Sequence, residues 1–267
     1  MLLAIDVGNT QVVVGLHDGD EWVERWRVRT DGSRTSDEWA SILAGLFSLR
    51  GRSLSQCNEV SIGSVVPTAI DALRTMSSEY CGAEAFVVGP GVKTGVRILT
   101  DNPREVGADR VVNALAVRHR YGGPAIVVDF GTATTVDAVS AEGDYIGGAI
   151  APGLAISAEA LQRYTARLQD VELIRPARSI GRNTVECMQI GIVIGYAGLV
   201  ERLVSGVRAE LGGGKVIATG GLVSAVTQAT DVIDIVDGDL TLEGLRLMYE
   251  LNRPERASLS QAAGVYR

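Results

Sequence analysis

The chain has little of what metal-dependent and covalent hydrolases rely on, with only three cysteines and two histidines among 267 residues. Cys57, Cys81 and Cys187 are odd in number and far apart in sequence, which fits neither a disulfide framework nor a zinc site. Buried, unpaired thiols are the expectation for all three. His17 and His119 form no His-Glu-x-x-His pair, and no Gly-x-Ser-x-Gly elbow accompanies them, so metallohydrolase and serine-hydrolase chemistries drop out. Positive charge is short as well: a formal net charge of −7 argues against nucleic acid as a partner, because nonspecific affinity for it comes from Lys and Arg. No run of about 18 apolar residues is present, and no basic segment leads into an apolar signal core, which predicts a cytoplasmic protein without a membrane partner. Two common nucleotide signatures are missing too. No Gly-x-Gly-x-x-Gly follows a strand, and Gly212-Gly213-Gly214-Lys215-Val216 fails as a P-loop for want of a hydroxyl residue after the lysine.

What is present is a sentence said twice. Ala4-Ile5-Asp6-Val7-Gly8-Asn9-Thr10 and Val127-Val128-Asp129-Phe130-Gly131-Thr132-Ala133 are both apolar strands ending in Asp-x-Gly and polar residues. An Asp at a strand end offers a carboxylate to a metal or water, Gly lets backbone approach a ligand, and Asn or Thr can donate to phosphate oxygens. Either copy alone reads equally well as a tight turn. The flanks repeat, however: a β-prone run follows each motif, and a turn begins at Asp18 after Asp6 and at Glu142 after Asp129. Two β-meanders on one plan predict a duplicated α/β domain, and an apolar fraction of 46% is enough to fill two cores.

The remaining elements follow the same outline. A helix capped by Ser36 or Asp37 carries Trp39, Ile42, Leu43 and Leu46 at helical spacing, and a strand over Glu59 to Val66, a helix over Thr68 to Tyr80 and a strand over Ala85 to Gly89 complete the first half. A helix from Arg110 to Tyr121, ended by Gly122-Gly123-Pro124, links the halves. Beyond the second meander the pattern predicts helices over Leu154 to Leu168, Thr184 to Leu211, Leu222 to Gln228 and Leu242 to Leu251, with strands at Lys215 to Thr219 and Val232 to Val236. The divisions expected are residues 1–116, residues 117–253 and a poorly ordered tail, 254–267. In the long helix Met188, Ile192, Tyr196, Leu199, Leu203 and Val207 form a core-type stripe, and further apolar positions leave room for a homodimer interface.

A third glycine signal, Ala218-Thr219-Gly220-Gly221, lies between an apolar strand and a helix, where a flat ligand or phosphate can rest on backbone. An acceptor segment is suggested by Asn102-Pro103-Arg104-Glu105-Val106-Gly107-Ala108-Asp109-Arg110. There Asp109 can take the proton of an attacking hydroxyl, and the Arg110 guanidinium can hold a carboxylate or phosphate oxygen in a forked pair. The alternative is an Asp helix cap followed by a surface Arg.

First phosphate motif, second phosphate motif and adenosine motif, in this order, resemble the acetate kinase, sugar kinase, Hsp70 and actin superfamily. The resemblance implies two ribonuclease H-like domains facing each other across a nucleotide cleft. It narrows with Asp-Val-Gly-Asn-Thr, Gly-Ala-Asp-Arg, Asp-Phe-Gly-Thr-Ala-Thr-Thr, the segment Gly147 to Gly153, and Gly181-Arg182-Asn183-Thr184, which together look like type III pantothenate kinase. That family phosphorylates pantothenate with ATP. The resemblance implies that Asp6, Val7, Gly8, Asn9, Thr10, Gln11, Val12 and Val13 form the first ATP loop, with Asp6 placing Mg2+ through water. It further implies that Gly131, Thr132, Gly220 and Gly221 contact ATP and that Asp129 ligates a monovalent cation, K+ or NH4+. Gly107, Ala108, Asp109 and Arg110 then bind pantothenate with Asp109 as proton acceptor, and Thr184 touches pantothenate near a homodimer interface. The chain departs from the family pattern at Thr100, where many members carry Tyr, so one pantothenate contact is missing or replaced. Another small-molecule kinase of the superfamily, or a non-catalytic ATP-binding regulator, would keep the same ATP motifs.

Overall fold

In the computed structural model, which describes residues 1–164 and 171–253, each Asp-x-Gly copy closes the first strand of a five-stranded sheet. The first sheet is made by β1 (Leu2–Val7), β2 (Gln11–His17), β3 (Trp22–Arg29), β4 (Glu59–Ser64) and β5 (Ala85–Val87), with α1 (Ser36–Ser48) and α2 (Pro67–Met76) between its later strands. After the linking helix α3 (Ala108–Arg120) come β6 (Ala125–Phe130), β7 (Ala133–Val139), β8 (Tyr145–Pro152), α4 (Leu154–Arg163), α5 (Thr184–Gln189) and α6 (Gly195–Leu211). The chain finishes with β9 (Lys215–Thr219), α7 (Val223–Thr227), β10 (Ile235–Val236) and α8 (Leu240–Asn252). The strand orders are β3-β2-β1-β4-β5 and β8-β7-β6-β9-β10, each an antiparallel meander extended by parallel strands. These are two ribonuclease H-like sheets of one design.

The duplication reaches individual positions. In β1 every residue is buried except the fifth, Asp6, and in β6 every residue is buried except the fifth, Asp129. Strands β2 and β7 also share one burial pattern, and each meander slips register once, at Leu16/His17 and at Ala138/Val139. A central strand buried on both faces has one place for a carboxylate, its C-terminal end, where open α/β sheets bind their ligands.

Each sheet has an outer core, built around Leu3, Ile5, Trp39 and Phe47 in the first half and Val128, Phe130, Val200 and Val204 in the second. Between the sheets α3 and α8 form a middle layer, in which Val112 and Ala116 share one cluster with Leu245 and Met248, Ala4 of β1 and Val127 of β6. The last helix thus returns to the first sheet. Ser61 Oγ donates to the Leu245 carbonyl at 3.1 Å, Trp22 Nε1 donates to Glu243 at 3.2 Å, and Arg25 forks onto Asp239 at 2.5 and 2.6 Å. Burial works to raise Glu243, but hydrogen bonds from Arg246 and the nearby charge of Arg120 hold it down at about 2.

Several boundaries differ from the sequence expectation for local reasons. Helix α1 is capped by Thr35, not by Ser36 or Asp37. Thr35 is extended, and its side chain exchanges bonds with Glu38 in a reciprocal capping box that places the other two residues in the first turn. The strand expected to reach Val66 stops at Ser64, whose hydroxyl bonds the Val66 backbone and turns the chain. The second helix ends at Met76 and continues as a π turn, Ser77–Cys81, closed by Gly82 at φ 65°. The long helix over Thr184–Leu211 forms, with a π turn at Ile190–Ile194 inside it. Among the described residues it is the one helix long and apolar enough, by length and composition alone, to cross a membrane. Tyr196, Val200 and Val204 bury one side of it against the second sheet. Cys57 and Cys81 are buried as expected, whereas Cys187 is exposed, being on the open side of the short helix α5. The end of the helix expected to reach Leu168 and the tail 254–267 lie outside the described residues.

The middle layer depends on Gly244. A Cβ there would collide with the Val112 carbonyl of α3. Gly244→Ala is therefore expected to destabilise the protein by about 1–3 kcal/mol through overpacking. An unchanged urea midpoint in that variant would refute the close approach of α3 and α8.

Candidate functional site

Three backbone loops meet at the C-terminal ends of the two central strands. The first is pinned by a Gly8 N–H bond to the Gln11 carbonyl at 3.0 Å and by the Thr30 hydroxyl donating to the Gly8 carbonyl at 2.7 Å. The second, Gly131-Thr132, meets the first directly: the hydroxyls of Thr10 and Thr132 lie 2.8 Å apart. The third arrives through Gly220, at φ 100°, where a Cβ would stand 2.6 Å from Asp129 Oδ1 and from the Phe130 backbone. Only glycine fits such a conformation and approach. Gly221 faces the Gln11 side chain, a Cβ there lying 3.5 Å from Gln11 Oε1. Asp6, Gly8, Asn9, Thr10, Gln11, Gly131, Thr132, Gly220 and Gly221 are thus brought to one place. Val7 and Val12 are buried in the first core, so only their backbones can face a ligand, and Val13 is half-buried beside the middle layer.

The loop site is strongly acidic. Burial first, and then the charges of Asp109 and Asp129, push Asp6 up to about 8. Burial and the charges of Asp109 and Asp137 push Asp129 up to about 7, against the opposing hydrogen bond from Asn113. Carboxylates from β1, β6 and α3 therefore share one field. Among the described residues no three His, Cys, Asp or Glu side chains form a protein-only metal cage, so a cation here takes most of its ligands from water or phosphate. One further oxygen is available. Asn113, buried on α3 one turn after Asp109, donates Nδ2 to Asp129 at 3.4 Å and leaves Oδ1 buried without a hydrogen-bond partner. An orphaned oxygen beside a carboxylate is a donor set that fits a cation. Sequence reasoning missed Asn113; its i+4 spacing from Asp109 was the available signal.

The acceptor segment settles its own ambiguity. Helix α3 is capped by Gly107 without any side-chain bond, and Asp109 lies inside the first turn, so Asp109 is not the cap. Gly107 leaves room for the Asp109 carboxylate, since a Cβ there would stand 2.5 Å from Asp109 Oδ1, which accepts from the Arg110 N–H at 2.9 Å. Arg110 is not a surface residue either. Its Nε donates to Asp137 Oδ1 at 2.7 Å, its Nη2 lies 2.6 Å from the same oxygen, and the side chain is 14% exposed. The forked edge expected to grip substrate is therefore occupied by Asp137. Nη2 is close to Asp137 without the alignment of a hydrogen bond, which leaves it a buried donor still to be satisfied. Asp137 had escaped notice, although a charged residue amid buried Val136, Ala138 and Val139 was its signature.

One predicted residue stands apart. Thr184 is exposed at the start of α5, and no hydrogen bond or ion pair ties it to Asp109 or Arg110. Thr100, the departure from the family pattern, has a buried hydroxyl without a partner. A hollow of about 400 Å³ lined by Arg97, Arg118, Glu142 and Asp144 lies at the β7–β8 turn and includes none of the predicted site residues.

Comparison with known proteins places the chain in a family. Residues 2–206 match the family model described as type III pantothenate kinase. A type III pantothenate kinase of Moorella thermoacetica is 53% identical over 253 residues, 94% of this chain and 100% of that protein. One of Geobacter sulfurreducens is 52% identical over 254 residues, 95% of this chain and 100% of its own length. Among solved structures, a conserved candidate Baf family transcriptional activator from Campylobacter jejuni superposes with a TM-score of 0.61 at 17% identity, covering 93% of this chain and 97% of that one. Component A of (R)-2-hydroxyglutaryl-CoA dehydratase from Acidaminococcus fermentans reaches 0.53 at 15% identity, over 91% and 94% of the two chains. At such identities these two show the shared fold alone.

The two raised carboxylates have a thermodynamic consequence. Above the ordinary value of 3.8 the unfolded chain releases protons that folded Asp6 and Asp129 retain, so stability falls as pH rises from 3.8 to about 7 for Asp129 and about 8 for Asp6 and levels off beyond. The melting temperature of the ligand-free protein is expected to drop over that window, and Asp6→Asn to flatten the drop. An equally steep profile in the variant would count against a buried, protonated Asp6.

Proposed function

The chain belongs to the type III pantothenate kinase family, and on that premise we propose how its residues transfer the γ-phosphoryl group of ATP to the primary hydroxyl of pantothenate, the first step of coenzyme A biosynthesis. One observation carries the assignment of roles: the two loops touch through Thr10 and Thr132, and Asp109, from the helix joining the halves, is close enough to raise the carboxylates of both.

Asp6 to Val13 cradle the phosphates from one side with backbone N–H groups, Asn9 and Thr10, while Gly131 and Thr132 close from the other. Helix α4 adds its uncapped N-terminus at Gly153, where a Cβ would stand 2.7 Å from the Gly131 carbonyl. Gly220 and Gly221 leave backbone bare for the adenosine. Phosphoryl transfer passes through a loose transition state, so the protein acts mainly by alignment and by spreading charge. Asp6 would hold Mg2+ through water, and Asp129 with Asn113 Oδ1 would hold K+ or NH4+. Bound there, the cations neutralise charge developing on the phosphate oxygens. A carboxylate is a weak base toward an alcohol, so Asp109 orients the pantothenate hydroxyl and receives its proton late. Gly107 and Ala108 form the floor beneath it.

Thr184 joins this site through a second copy of the chain. Nine of the fourteen exposed large hydrophobics among the described residues lie between positions 146 and 199, which supports a homodimer burying that region.

Asp109→Asn is expected to lower turnover by about 100-fold or more while ATP affinity changes little. Pantothenate-dependent ADP release measured beside nucleotide binding checks this, and near-normal turnover removes Asp109 from its role. The same assay in potassium and then sodium buffer tests Asp129: equal rates in both would exclude a selective monovalent site there.

A further inference from the structure

The partner of Arg110 is itself held on every side. Asp137 is fully buried in β7. Its Oδ1 receives Arg110 Nε at 2.7 Å and the Tyr145 hydroxyl at 3.1 Å, and its Oδ2 receives the Thr135 hydroxyl at 2.6 Å. The Tyr145 ring carries the guanidinium, with Arg110 Cζ 5.5 Å from the ring centroid. Across from it Gly148 keeps the space clear, since a Cβ would stand 3.0 Å from Arg110 Nη2. Strands β7 and β8 thus fix one guanidinium in position and orientation.

Stability alone is a poor reason for such a pair, because desolvating two buried charges offsets much of their attraction and apolar residues of equal volume often serve as well. The arrangement does something else. It commits the Nε edge of Arg110 inward, leaves Nη2 with an unsatisfied donor, and leaves Nη1 without a hydrogen-bond partner among the described residues. The uncommitted side of the guanidinium belongs to the residue next to Asp109. Given the phosphorylation of pantothenate proposed above, we propose that Asp137, braced by Tyr145, is a positioning residue of the acceptor site: it orients Arg110 so that the remaining guanidinium donors meet an oxygen of pantothenate. Asp137 acts only through Arg110 and touches neither nucleotide nor substrate.

A double-mutant cycle on the full chain tests this, with Arg110→Gln, Asp137→Asn and the pair measured by steady-state kinetics. Asp137→Asn is expected to raise KM for pantothenate about tenfold or more and to leave KM for ATP within about twofold. In the Arg110→Gln background the same change should add less than about twofold, because the residue it acts through is gone. Multiplying effects, or a parallel rise in KM for ATP, would overturn the positioning role. If Asp137→Asn does not fold, Tyr145→Phe, which removes the 3.1 Å bond alone, should move KM for pantothenate in the same direction by a smaller factor at a near-native melting temperature. An unchanged KM there overturns the proposal equally. Wild-type protein without pantothenate-dependent ADP release would instead refute the kinase reading, whereas active wild type with independent variants would refute only the role of Asp137.

Discussion

Two buried carboxyl groups end two buried strands, and the architecture follows from keeping them there. Asp6 and Asp129 occupy equivalent positions in duplicated sheets, the two loops meet through Thr10 and Thr132, and Asp109 acts on both carboxyl groups. Burial first, and then the neighbouring carboxylates, make the charged forms unfavourable there, as the raised values record. A cation bound there would relieve that cost, so the site favours positively charged partners. The middle layer of Val112, Ala116, Leu245 and Met248 holds the two sheets together beside these carboxyl groups.

The duplication and its motifs were legible in the sequence because they are local. An apolar strand, an Asp at its end and a Gly after it fix a backbone path with little help from elsewhere, and the strand–loop geometry at Asp6, Asp129 and Gly220 appears where the pattern put it. The bend at Ser64 and the capping box of Thr35 were misjudged by a residue or two, since neighbouring hydroxyl residues compete for the same backbone donors.

The partnership of Arg110 was not legible. Its partner lies 27 positions away on a strand whose sequence reads simply as half-buried β. Local reasoning offered a helix cap with a surface Arg or a substrate fork, and both assumed a guanidinium free to turn. Asn113 was hidden for a related reason: an amide in an apolar helix stripe looks like a packing residue until the carboxylate it meets is known. Pairwise chemistry between distant elements is the part of a site that one sequence withholds, because nothing in either neighbourhood names the other.

Helix α8 covers the inner face of the first sheet, yet among the described residues it is the last element along the chain. A ribosome releases β1 to β5 well before residue 240 emerges, and until then Ala4, Ser61 and Gly63 lack their cover. The first half therefore cannot mature as an autonomous unit during synthesis. Chains cut short before α8 would be left with that sheet face uncovered.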